Sequence, residues 1–104
     1  MASPPGPEQG SSARDGEGWA PLVGQVVVVD TNSTFVYLGK LDRVEEHFVV
    51  LKDVDAHDRS EGPSTKEQYV IDTKRFGVKP NRKEVSVRKA VVVSVSRLDD
   101  VVTY

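Results

Sequence analysis

Two histidines, no cysteine and one aspartate-rich run are the raw material from which this 104-residue chain would have to build site chemistry. The run is "DVDAHD", residues 53–58. Its Asp53, Asp55, His57 and Asp58 have the spacing and donor types that can hold a divalent ion. No EF-hand pattern follows, there is no second histidine cluster, and aspartates gather in turns because they bond local backbone. The segment therefore reads as a polar turn, with no metal and no cofactor. Catalytic patterns are as thin. The chain has no cysteine nucleophile, no Gly-x-Ser-x-Gly, no phosphate-cradling glycine loop and no His-Glu-x-x-His. Neither His47 nor His57 stands beside an evident serine with an acidic orienter. The chain reads as a non-enzyme with no small-molecule substrate.

Charge is more informative. The formal net charge is −2, which speaks against a dedicated nucleic-acid binder, but the charges are segregated. Residues 74–89 hold Lys74, Arg75, Lys79, Arg82, Lys83, Arg88 and Lys89 against Glu84 alone, whereas residues 42–61 are mainly acidic. A basic face of this kind can meet phosphate, or it can be a solvated loop.

These residues must be positioned by a small scaffold. The opening "MASPPGPEQGSSARDGEG" has three prolines, four glycines and three serines, with no aliphatic side chain larger than Met1. It cannot bury enough apolar surface to offset ordering, so residues 1–18 read as a disordered tail before a domain over 19–104. No basic region leads into an apolar run, which excludes a secretory signal. The longest all-apolar run, "VVVV" at 26–29, is far short of the ~20 residues that span a bilayer. A cytoplasmic protein without a membrane partner is expected.

Along the domain, "LVGQVVVVD" (22–30), "STFVYLGKLDRV" (33–44) and "FVVLK" (48–52) are β-rich runs separated by polar turns. A long loop is expected over 53–67, a fourth strand at "QYVID" (68–72) and a basic loop at 73–83. "EVSVRKAVVVSVSRL" (84–98) supplies two short strands around a break near Arg88–Ala90. No segment shows a sustained 3.6-residue period with caps, so the fold class is all-β. Gly39 lies inside the second strand, where glycine marks a bend, a bulge or a close backbone approach, and it is best read as the bend that a tight barrel needs. Trp19 is expected to close one open end of the barrel.

In "GQVVVVDTNSTFVYLGKLDRVEEHFVVLKDV" (24–54), Gly24, Val27, Val29, Tyr37, Gly39, Leu41 and Glu45 resemble the first motif of the Sm and Sm-like proteins. In "VSVRKAVVVSV" (85–95), Val87, Arg88, Val92 and Val95 resemble the second. The resemblance implies a five-stranded, strongly bent Sm-like barrel of the SH3 type that assembles into a homo-oligomeric ring. It further implies that the loops carrying His47, Phe48, Arg88 and Lys89 lie side by side at the ring pore. There an aromatic or imidazole stacks on a base of single-stranded RNA while the cations meet phosphate. The motif asparagine that holds the base edge is missing, because "EEHFVV" puts His47 or Val49 in its place. The glycine after the motif arginine is Lys89.

The leading reading is thus a ring-forming module that binds single-stranded RNA. Association is expected because "VVVV" and "AVVVSV" are apolar on both faces and a small barrel cannot cover both alone. The resemblance, in which a neighbour's last strand adds to the fourth, implies that the subunit contact runs through Ala90, Val91, Val92, Val93, Ser94, Val95 and Ser96. The alternative is a protein-interaction or scaffold barrel that has lost the RNA site. An unrelated SH3-like barrel, which needs no ring, is a third.

Overall fold

The computed structural model describes residues 18–62 and 65–103. The expected tail lies outside the described residues, Gly18 excepted. Five strands form one antiparallel sheet: β1 (Val26–Thr31), β2 (Phe35–Val44), β3 (Phe48–Asp58), β4 (Arg82–Arg88) and β5 (Val92–Arg97). Their spatial order is β4-β3-β2-β1-β5. The first three runs and the two strands around the Arg88–Ala90 break stand as the sequence indicates, with a 3₁₀ turn over Lys89–Val91 at that break.

The region between the motif blocks does not. Residues 68–72 are not a strand but the middle of a helix, α1 (Lys66–Phe76). Its start and stop are chemically encoded. The Thr65 side chain accepts a hydrogen bond from the Gln68 backbone N–H at 3.1 Å, and Gly77 ends the helix at φ +92°, a conformation that glycine adopts without a steric penalty. Val70 and Thr73 face inward, three residues apart, a stripe too short to register as a long period. The expected loop over 53–67 is also largely taken up by regular elements where it is described. β3 continues through Asp58, and a 3₁₀ turn follows over Arg59–Glu61. The basic loop at 73–83 is instead the last turn of α1, a short connection and the start of β4.

α1 changes how the apolar residues are used. Val27, Val29, Leu41, Val49, Leu51, Val54 and Val87 form the core inside the curled sheet, and Trp19, 8% exposed, packs into it. Trp19 is thus buried against the core rather than left in solvent. On the opposite face, Val28, Val36 and Leu38 form a second cluster with Val70 of α1, and Tyr69, Leu98 and Val101 pack against it. The alternation of Val27, Val28 and Val29 between the two clusters is the strand period of two. The premise that a barrel this small must leave one face uncovered is therefore corrected, because α1 and the C-terminal residues cover it within the chain.

Gly39 is where β2 passes closest to β3. A Cβ there would lie 3.0 Å from the Lys52 carbonyl oxygen and 3.1 Å from both Cα and Cγ2 of Val54. The β2–β3 register shifts between Leu38 and Lys40, and Asp53 just opposite has φ +52°. The glycine marks a close approach at a sheet irregularity, which is how such bends are built.

Candidate nucleic-acid interface

β3 and β4 bring the four RNA-contact candidates together. Phe48 opens β3 and pairs with Arg88, the last residue of β4. The Lys89 backbone N–H donates to the His47 carbonyl oxygen at 2.9 Å, tying the two turns together. The Arg88 guanidinium lies over the Phe48 ring, 5.1 Å from its centroid. Phe48 is half-buried and His47 and Arg88 are exposed. A cation over an aromatic face beside an open turn can offer a stacking platform to a base.

The surroundings temper this. Val49, one of the two candidates for the asparagine position, is fully buried, and the other, His47, lies exposed in the turn with no amide to offer. The base-edge donor and acceptor are therefore absent there. The turn is acidic: His47 Nε2 lies 3.7 Å from a Glu46 carboxylate oxygen. Arg43 nearby is held by Asp42 at 2.9 Å and Glu45 at 3.1 Å. Its hydrogen bond to Asp42, followed by that to Glu45, raises the guanidinium pKa above its ordinary value. Carboxylates around a single-strand site work against phosphate.

The residues expected at a subunit contact form the outer edge of the sheet. Among the described residues, β5 pairs with β1 alone, and β4, at the other end, pairs with β3 alone. Along β5, Val92 and Val95 turn partly toward the core. Val93 falls in a bulge between the pairings Asp30↔Ser94 and Thr31↔Val92 and is 64% exposed. Ala90, Ser94 and Ser96 are exposed, and Val91 is half-buried beside the core.

"DVDAHD" belongs to β3 rather than to a turn, and its residues have separate tasks. Asp55, 4% exposed, accepts a hydrogen bond from the Tyr69 hydroxyl of α1 and faces Asn81 Nδ2 at 3.5 Å. His57 stacks on the Tyr69 ring at 3.6 Å, and its Nε2 is buried without a hydrogen-bond partner among the described residues. Asp58 accepts from the Ser60 backbone and hydroxyl. Its pKa is lowered, first by a hydrogen bond from Thr34 and then by those from Ser60. Burial, then the hydrogen bond and charge of Asp55, push Tyr69 up to about 12. These contacts dock α1 onto β3, a function that sequence reasoning missed. Its visible signal was the Thr65-x-x-Gln68 spacing ahead of Gly77.

No family model matches the chain, and no curated protein matches it. Solved structures do. A Sm protein of Pyrococcus abyssii, in complex with a uridine heptamer, is 18% identical with a TM-score of 0.53, covering 78% of this chain and 93% of that one. A chain of the NatC complex bound to CoA is 17% identical with a TM-score of 0.49, covering 73% and 78%. At this identity, the likeness to the archaeal protein is one of fold. The chain has an Sm-like fold, with five antiparallel strands in one sheet and an added helix between β3 and β4.

Proposed function

We propose that this chain is an assembly module that uses an Sm-like fold to join other protein chains through its two open strand edges. The observation that carries this reading is the sheet order, which among the described residues leaves one side of β4 and one side of β5 unpaired. On β5 the exposed Val93 adds apolar surface to unpaired backbone, and such an edge pairs with whatever complementary strand it meets. The acidic turn around His47 and the loss of the motif amide favour protein over nucleic acid as the main partner.

A second reading has its own support. His47, Phe48, Arg88 and Lys89 lie together at the adjoining turns, and the archaeal neighbour was determined with a uridine heptamer. In that reading copies of the chain close into a ring through Ala90–Ser96 and meet single-stranded RNA at the pore.

Two measurements separate the readings. Light scattering on the chain recovered from its own cells should give a mass above the 11.4 kDa of one copy, with a second polypeptide present and the β4 and β5 amides protected from exchange. Oligouridine titrated against the pure chain at low salt should give weak binding. A chain that elutes alone and binds oligouridine with an affinity falling steeply as salt rises would overturn the proposal, because such a slope reports phosphate contacts.

A further inference from the structure

We infer that β5 is a strand acceptor for an extended segment of a different polypeptide in which apolar side chains alternate with long basic ones. The inference rests on the association reading and adds the chemistry of the partner.

β5 is flanked by a hollow on each of its faces. On the core side, an opening of about 280 Å³ is bordered by Trp19, Lys89, Val92, Val93 and Val95. On the other side, a groove of about 340 Å³ lies between β5 and α1, with Val28, Val36, Val70 and Val101 as apolar walls and Ser94 and Ser96 along the strand. A strand laid against β5 gains backbone hydrogen bonds along the edge and sends successive side chains to opposite faces. Backbone pairing then supplies affinity and the two hollows supply selectivity. The groove exists because this chain places a helix between β3 and β4.

The core-side hollow, with Val93 at its rim, takes an apolar side chain. The charge around the groove selects its occupant. Lys66 Nζ is 2.7 Å from Asp30 Oδ1 and also donates to the carbonyl oxygens of Thr31 at 3.0 Å and Ser33 at 2.7 Å. All three ammonium protons thus have acceptors. Glu67, exposed on the first turn of α1, lines the same groove and has no ion pair among the described residues. The rim is therefore net negative over an apolar floor. A lysine or arginine, with an aliphatic stem and a cationic head, complements both.

A second copy of this chain fits less well. With β4 antiparallel to β5, in the register that sets Val85 and Val87 against Val95 and Val93, the residues over the groove are Glu84 and Ser86. One brings a carboxylate toward Glu67, and the other is too short to fill the space. The same register opposes Lys83 to Arg97, a like-charge pair. Residues 1–17 offer Met1, Ala2 and Ala13 and three prolines as apolar side chains, and proline cannot donate to a strand ladder.

The test is a titration of isotope-labelled full-length chain with two synthetic heptapeptides, one alternating valine with lysine and one alternating valine with glutamate. The lysine peptide should shift the Val92–Arg97 amide resonances and bind about tenfold more tightly at low salt than the glutamate peptide. Glu67→Lys should weaken the lysine peptide by about fivefold. Glu67→Gln, which removes the charge with little change of shape, should give a smaller loss in the same direction. Equal affinity for both peptides, or shifts confined to β4, would overturn the inference. So would β5 amides already protected in the free chain, either as a monomer covered by its own tail or as a self-associated ring. A chain that co-purifies with a second polypeptide but fails this titration keeps the association reading and loses the inference. A lone chain that binds oligouridine loses both.

Discussion

Replacing Gly39 with valine tests the packing logic of the sheet directly. Any Cβ at this position meets the Lys52 carbonyl oxygen at 3.0 Å and the Val54 Cα and Cγ2 at 3.1 Å, whereas unstrained carbon contacts lie at about 3.5–4.0 Å. The Val54 methyl can rotate away, but the other two atoms belong to backbone. Lys52 is paired on one side with Lys40 and on the other with Glu84, and Gly39 itself is paired with Val27. The strands cannot separate without breaking pairing on both flanks, and valine adds two further methyls. Overpacking of this kind costs about 1–3 kcal/mol, and Gly39→Val belongs at the upper end, with Gly39→Ala below it. For a domain of this size each 1 kcal/mol is about 4–8 °C in Tm, so Gly39→Val should melt roughly 10–20 °C lower. Urea denaturation followed by circular dichroism gives the free energy. Gly62→Ala is the control, because among the described residues no atom beyond its chain neighbours lies within 4 Å of a Cβ there and its φ of −158° suits any residue. A Gly39→Val midpoint no lower than that of the control would refute the close-approach account.

Three other perturbations address the helix and the candidate interface. Tyr69→Phe removes the hydroxyl donor from Asp55, which is 4% exposed, and should cost about 1–3 kcal/mol in the same denaturation assay. With the Tyr69 pKa raised from 10.0 to about 12, the tyrosine's contribution is complete below its ordinary pKa and is lost as pH rises through the folded value. Wild-type stability should therefore fall between these two pH values more steeply than that of Tyr69→Phe, and parallel curves would refute the coupling. Thr65→Ala removes the cap on Gln68 and should lower stability by about 1 kcal/mol with some loss of helical signal; unchanged values would show that the cap is not used. His47→Ala, whose side chain is 70% exposed, should leave stability within about 0.5 kcal/mol. Weaker oligouridine binding in that variant would favour the RNA reading over protein assembly.

Five strands, their approximate positions and the special role of Gly39 were legible in the sequence, because each rests on local signals. β-branched runs, polar turns and a glycine inside a strand act over a few residues and survive any tertiary context. The neighbourhood of His47, Phe48, Arg88 and Lys89 was legible only through the two-motif resemblance, since no local pattern joins turns some 40 residues apart in the chain. The segment from Asp53 to Asn81 was misread. "QYVID" has the composition of a strand, and its helical state is decided by the Thr65 cap, by Gly77 and by the exposed apolar face of β1 and β2 that Val70 covers. Likewise, "DVDAHD" has the composition of a turn, yet it stays in β3 because Tyr69 and Asn81 give Asp55 partners and Tyr69 stacks on His57. These contacts join residues 12 to 26 positions apart, so neither segment alone specifies its state. The docked helix, with Asn81 beyond it, satisfies the buried carboxylate, and with Leu98 and Val101 it covers the second apolar face and leaves a groove beside β5.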